Sequence, residues 1–207
     1  MSRRNLYLCV GLRLDLKEVV TAAIDGGVDV LQIREKSADA LPIIRAAEII
    51  APICQANAVP FFINDRVDIA FAVGADGVHL GQTDLPPASA RALVKDAILI
   101  GRSTHERAEL DRAILEDIDY ISAGPVEATP TKPGRAGTGL DYLKYATDKS
   151  SLPVFVTGGV TPERIAPLAA AGASHFVVVR YILDAENTFA AANSLRKAID
   201  AEFGSTR

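Results

Sequence analysis

The sequence predicts an α/β protein: a single (β/α)8 TIM barrel spanning residues 1–207. Three observations predict it. Short apolar runs rich in Val, Ile, Leu or Phe recur about every 25 residues, most of them followed by a helix-like stretch. There are eight such runs, mostly continuous rather than alternating, as in strands covered on both faces. No G-x-G-x-x-G follows the first run, where an open dinucleotide-binding sheet would normally carry one.

Taken in order, the strands are expected at 6–10, 28–33, 60–63, 77–80, 99–101, 120–122, 153–156 and 175–179. Between them, Leu110, Ala113, Ile114 and Ile118 share one helical face, as do Phe189, Ala192, Leu195 and Ile199. Glycines close several helices before the next strand, as in Asp25-Gly26-Gly27-Val28, Val73-Gly74-Ala75-Asp76 and Ala171-Gly172-Ala173-Ser174. Pro52 interrupts an otherwise helical run over 39–57, so a kink or break is expected near Ala51.

No linker or low-complexity tract divides the 207 residues, which suffice for one core. A formal net charge of -4 argues against nucleic acid or an anionic membrane as partner, since both demand a broad basic surface. Cys9 and Cys54 lie among apolar residues without CxxC spacing, which fits buried thiols in a reducing compartment. The start lacks the pattern of a signal peptide, and no run reaches the roughly 18 apolar residues of a membrane span. A cytoplasmic setting is therefore expected. The barrel's helical exterior offers surfaces for a homodimer without singling one out.

In a barrel, function gathers on loops at the C-terminal ends of the strands. The second strand ends in Gln32-Ile33-Arg34-Glu35-Lys36, where alternation sends Gln32, Arg34 and Lys36 one way and Ile33 and Glu35 the other. A planar fork beside a point charge suits diphosphate oxygens; the plain alternative is a solvated charged loop. The third and fourth strands end in Asn64-Asp65-Arg66 and Gly81-Gln82-Thr83-Asp84, bringing two carboxylates to one end of adjacent strands. That suits Mg²⁺, although either Asp could simply cap the helix that follows.

Gly101-Arg102-Ser103-Thr104-His105 reads as a hydroxyl at a helix start, suited to anions or to capping, with His105 a surface residue or a proton carrier. His79 and His175 read as structural. In the longest loop, 124–139, Thr129, Thr131 and Lys132 supply two hydroxyls and a cation that read as phosphate ligands, stiffened by Pro130 and Pro133; the plain alternative is a flexible lid. The last two strands end in Thr157-Gly158-Gly159-Val160-Thr161 and Val179-Arg180-Tyr181, the usual monophosphate position of barrels.

Together these segments resemble thiamine-phosphate synthases, in register from the second strand to the seventh. The resemblance implies a Mg²⁺-dependent transferase that condenses hydroxymethylpyrimidine diphosphate with hydroxyethylthiazole phosphate and releases diphosphate. It implies that Gln32, Arg34, Lys36 and Asn64, with neighbouring Ile33 and Glu35, hold the pyrimidine diphosphate. Asp65 and Asp84 would bind Mg²⁺, and Ser103 and Lys132 would complete that site. Thr129, Pro130, Thr131, Gly159, Val179 and Arg180 would hold the thiazole phosphate. By the same resemblance Arg34, Lys36, Ser103 and Lys132 would carry the catalytic role of stabilising the departing diphosphate.

Two features depart from the family pattern. Glu127-Ala128 replaces an aromatic or branched apolar residue and Pro, and Arg180 replaces a common Ser. The competing readings are a thiazole-phosphate tautomerase on the same barrel, which would use His105 as proton carrier, and a non-catalytic phosphate-binding barrel.

Overall fold

The computed structural model describes residues 1, 4–130, 134 and 136–204. Eight parallel strands close into a barrel in chain order, with the first pairing both the second and the eighth. They are β1 (Leu6–Val10), β2 (Val30–Ile33), β3 (Phe61–Asn64), β4 (Gly77–Leu80), β5 (Leu99–Thr104), β6 (Tyr120–Ala123), β7 (Val154–Thr157) and β8 (His175–Val178). The helices between them are α1 (Leu16–Asp25), α2 (Ala40–Ala56), α3 (Val67–Ala72), α4 (Pro87–Val94), α5 (Arg107–Ala113), α6 (Gly139–Lys149) and α7 (Pro162–Ala170). After β8 come a short α8 (Arg180–Leu183) and a long α9 (Thr188–Phe203).

Alternation along each strand divides the core in two. Leu6, Leu8, Val10, Leu31, Ile33, Phe61 and Ile63 point outward into the layer shared with the helices. Tyr7, Cys9, Val30, Phe62, Tyr120 and Phe155 point into the barrel. The inner rings meet edge to face, with Tyr7 and Phe155 centroids 5.5 Å apart and Phe62 and Tyr120 5.6 Å apart.

Two strand glycines make room for these rings. A Cβ on Gly77 would sit 2.1 Å from the Phe62 ring, and one on Gly101 would sit 2.1 Å from Tyr120. Gly101→Ala is expected to lose about 1–3 kcal/mol by overpacking, read as a lower denaturation midpoint in urea at unchanged slope.

Three expectations need correction. β5 runs on to Thr104 rather than ending at Gly101, because Arg102, Ser103 and Thr104 keep pairing with Ile121, Ser122 and Ala123. Their polar side chains hide the strand from an apolar-run reading. α2 passes through Pro52 as one helix without the expected break; Pro52 is exposed and four residues from the helix end. Finally, α5 stops at Ala113 and Phe189 is 46% exposed, so both predicted stripes are shorter than expected. Gly27, Gly74 and Gly172, by contrast, all take the positive φ expected of helix-closing positions.

At the N-terminal end of the barrel, Arg196 of α9 is 5% exposed and staples three segments together. Its guanidinium donates to Asn5 Oδ1 at 2.6 Å, to the Gly27 carbonyl at 2.8 and 3.1 Å, and to Asp29 Oδ2 at 2.8 Å. Asp29 in turn accepts the Leu6 N–H at 2.9 Å, joining the starts of β1 and β2. The same device recurs where Asp76 accepts the Phe61 N–H at 2.8 Å and Asp119 accepts the Ile100 N–H at 2.7 Å.

Candidate active site

A cavity of about 780 Å³ opens at the C-terminal ends of the strands and reaches down to the aromatic layer. The inward alternation of β2 and β3 delivers Gln32, Arg34, Lys36 and Asn64 to it, and the loops after β3 and β4 deliver Asp65 and Asp84. Ser103, Thr129, Gly159, Val179 and Arg180 also line it. Ile33 and Glu35 do not. Ile33 is 1% exposed in the outer core layer, and the Glu35 carboxylate turns back to accept the Ser37 N–H and O–H at 3.0 and 2.7 Å. Pro130 is likewise absent from the lining, and Thr131 and Lys132 lie outside the described residues.

The acidic side of the cavity is held tightly. Lys36 Nζ donates to Asp65 Oδ2 at 2.7 Å. Asp65 sits at φ +63°, in the left-handed region, and its N–H donates to the His79 carbonyl at 2.8 Å. Asp84 Oδ2 accepts the Gly81 N–H at 2.7 Å, and the Gly81 carbonyl accepts from Arg102 Nη1 at 2.6 Å. Neither Asp caps a helix: the residues ahead of α3 and α4 are Arg66 and Pro86, and neither makes a side-chain cap.

Burial, together with a hydrogen bond to Asp84, pushes the Asp65 carboxyl above the usual range despite the nearby Lys36. Burial works the same way on Asp84, but its bonds to Asp65 and Gly81 and the charges of Lys36 and Arg102 hold it below that range. Two carboxylates thus share one small space, the arrangement a divalent cation relieves. Among the described residues no group of three or more His, Cys, Asp or Glu side chains could hold a metal ion. The Asp65 and Asp84 pair by itself is the kind of donor set that Mg²⁺ takes, one or two carboxylates with the rest of its shell filled by water and phosphate oxygens. Asn64 adds to the fit: it lines the cavity, is 5% exposed, and its Nδ2 has no protein partner among the described residues.

Ser103 is a strand residue facing inward, not a residue at a helix start, since the next helix begins only at Arg107. At the cavity floor, five side chains from five strands form one hydrogen-bonded chain. Gln32 Nε2 donates to Tyr7 Oη at 3.1 Å, Tyr7 and Tyr120 hydroxyls are 3.1 Å apart, and Tyr120 Oη lies 2.9 Å from His79 Nδ1. His79 Nε2 then lies 2.8 Å from Ser103 Oγ. Tyr7, Tyr120 and the place of His79 in this hydrogen-bonded chain escaped the sequence reading. The signal lay in β1, where Tyr7 and Cys9 alternate with Leu6, Leu8 and Val10.

His105 is also no ordinary surface residue. It lines the cavity, and its N–H and Nδ1 lie 2.8 and 2.7 Å from Glu109 Oε2. On the opposite rim, Gly158 and Gly159 have φ of +86° and +76°, open only to glycine without strain. Their bare faces admit the loop after β6: a Cβ on Gly158 would meet Pro125 Cβ at 2.5 Å, and one on Gly159 would meet Glu127 Oε2 at 2.5 Å. The departing residue Glu127 is neutralised by an ion pair with Arg164 of α7.

The fold and its cavity define a (β/α)8-barrel enzyme whose polar and charged side chains converge at the C-terminal ends of the strands. The family described as Thiamine monophosphate synthase matches residues 6–182. The thiamine-phosphate synthase of Saccharopolyspora erythraea is 43% identical over 202 residues, covering 92% of this chain and 91% of that protein. That of Thermosynechococcus vestitus is 42% identical over 195 residues, covering 94% of this chain but only 56% of the relative. A solved thiamine phosphate pyrophosphorylase from Pyrococcus furiosus superposes with a TM-score of 0.89 at 28% identity, covering 98% of each chain. The chain belongs to the thiamine monophosphate synthase family, and with it to the transferases. Some relatives are much longer, and this chain spans little more than half of the Thermosynechococcus vestitus protein.

Proposed function

We propose that this barrel is a Mg²⁺-dependent thiamine-phosphate synthase joining hydroxymethylpyrimidine diphosphate to hydroxyethylthiazole phosphate. The observation that carries the reading is one cavity lined on one side by Arg34, Lys36, Asn64, Asp65, Asp84 and Ser103, and on the other by Gly158, Gly159 and Arg180. Two anionic substrates could occupy it side by side. Thr131 and Lys132 would add to the proposed phosphate ligands from the loop after β6.

Asp65 and Asp84 would hold Mg²⁺, which when bound supplies positive charge to the diphosphate oxygens. Arg34 and Lys36 add fixed positive charge where negative charge develops, and Ser103 and Asn64 add hydrogen-bond donors there. The methylene C–O bond breaks with its electron pair leaving on diphosphate, and the amino group of the pyrimidine delocalises the resulting cation. The thiazole nitrogen, which carries no proton, then donates its lone pair to form the C–N bond, so no general base is needed for that step.

The proposal includes a cytoplasmic setting, supported by Cys9 and Cys54, both buried thiols outside any disulfide among the described residues, and a possible homodimer interface on the helical exterior. Among the described residues no helix is long and apolar enough to cross a membrane. One observation favours a second reading. The His105–Glu109 pair is a carboxylate-oriented imidazole on the cavity wall, as a thiazole-phosphate tautomerase would require.

Calorimetric titration tests the two-subsite arrangement. Inorganic diphosphate with Mg²⁺ and thiazole phosphate are expected to bind together, one of each per chain. Arg180→Ala is expected to weaken only thiazole phosphate, by about tenfold. Mutually exclusive binding of the two would refute the arrangement.

A further inference from the structure

The hydrogen-bonded chain at the cavity floor has a direction. It begins where the Cys9 thiol donates to Gln32 Oε1 at 3.1 Å, which orients the Gln32 amide and turns its Nε2 toward Tyr7. An S–H donating to an amide oxygen is a better pairing than an amide N–H donating to sulfur, a weak acceptor. Tyr7 is wholly buried and already accepts from Gln32, so its own proton must go to its other hydroxyl partner, Tyr120. Tyr120, likewise buried and now accepting from Tyr7, sends its proton to His79 Nδ1. An imidazole that accepts at Nδ1 carries its proton on Nε2, and that N–H donates to Ser103 Oγ.

Ser103 is 6% exposed and lines the cavity. With its oxygen already accepting from His79, its hydroxyl proton points toward the cavity. Reversal of the chain would make Ser103 donate to His79 and offer only lone pairs to the cavity, which repels an anion. A direction set by a buried Cys–Gln contact on β1 and β2 thus decides the polarity of a hydroxyl on β5.

We infer that His79 is a positioning residue, held as the Nε2–H tautomer by the Cys9–Gln32–Tyr7–Tyr120 relay so that Ser103 presents its hydroxyl as a hydrogen-bond donor to the diphosphate group. The inference rests on the reading that a diphosphate occupies this side of the cavity. His79 itself need not touch substrate, and neither does Tyr120. Their effect reaches the ligand through the Ser103 proton alone.

Nitrogen-15 NMR of histidine-labelled protein tests the tautomer directly, with His79 assigned by comparison with His79→Phe. The expected spectrum of the wild-type protein shows His79 neutral and protonated on Nε2; protonation on Nδ1 would overturn the inference. The second measurement is calorimetric binding of inorganic diphosphate in Mg²⁺ to wild type, His79→Phe, Ser103→Ala and the double variant. Each single change is expected to weaken binding by about tenfold, the weight of one hydrogen bond to a charged group, and the double variant no more than either single. Independent, multiplying losses would show that His79 does not act through Ser103. Should His79→Phe fail to fold, the wild-type tautomer still decides, with the resonance assigned by its chemical-shift change in Tyr120→Phe, which removes the hydroxyl beside Nδ1. If wild-type protein binds no diphosphate at all, the functional reading fails as well; if it binds and the tautomer is Nδ1–H, only the relay fails.

Discussion

Asp84→Asn is expected to lower kcat/KM by about a thousandfold or more while leaving the thermal midpoint nearly unchanged. The amide oxygen can still accept the Gly81 N–H, so the turn that Asp84 closes at 2.7 Å survives. What disappears is one of the two negative charges that would attract a divalent cation. With that charge gone, nothing raises the Asp65 carboxyl through its carboxylate neighbour, and Lys36, 2.7 Å away, pairs with it undisturbed. The remaining pair is neutral overall and has little use for Mg²⁺. Initial rates across a Mg²⁺ titration check this: the variant should need far more metal and still fall short of the wild-type maximum. Wild-type rates at ordinary Mg²⁺ would rule out Asp84 as a ligand.

Arg196→Leu is expected to cost about 3–5 kcal/mol of stability, the largest effect anticipated from any single change outside the cavity. The Arg196 and Asp29 side chains are 6% and 16% exposed, so removing the cation strands a carboxylate and leaves the Asn5 and Gly27 oxygens without their donor. Urea denaturation followed by circular dichroism measures the loss. Because the cluster lies at the N-terminal end of the barrel, turnover per folded molecule below the transition should be close to wild type. A variant as stable as the parent would mean that the C-terminal helix is held by its apolar face alone.

Much of this architecture was legible because buried parallel strands announce themselves as apolar runs, and all eight fell within a few residues of their observed positions. Each miss has its own physical cause. Ser103 and Thr104 read as a helix start because polar side chains at a barrel rim look like capping residues, although the backbone continues pairing with β6. Pro52 was read as a break because propensity ignores how near the helix end it lies. The repeated aspartate device at Asp29, Asp76 and Asp119 was hidden because each Asp stands immediately before a strand, where it resembles an ordinary turn residue.

The cavity was legible in its charged rim and not in its floor. Gln32, Arg34, Lys36, Asn64, Asp65 and Asp84 are conspicuous because polar residues interrupt apolar strands. Tyr7, Tyr120 and His79 are conspicuous only once the barrel is closed, since their partners lie 25, 41 and 24 positions away in sequence. Ile33 and Glu35 were drawn in by adjacency alone, and alternation turns both away from the cavity.

The most direct test of the central claim is product balance. Purified protein is incubated with hydroxymethylpyrimidine diphosphate and hydroxyethylthiazole phosphate, in Mg²⁺ or in EDTA, and diphosphate and thiamine phosphate are quantified together. Equal amounts of both products in Mg²⁺, and neither in EDTA, is the expected result. Binding of both substrates without product in Mg²⁺, or isomerisation of a thiazole phosphate in their place, would contradict the assignment.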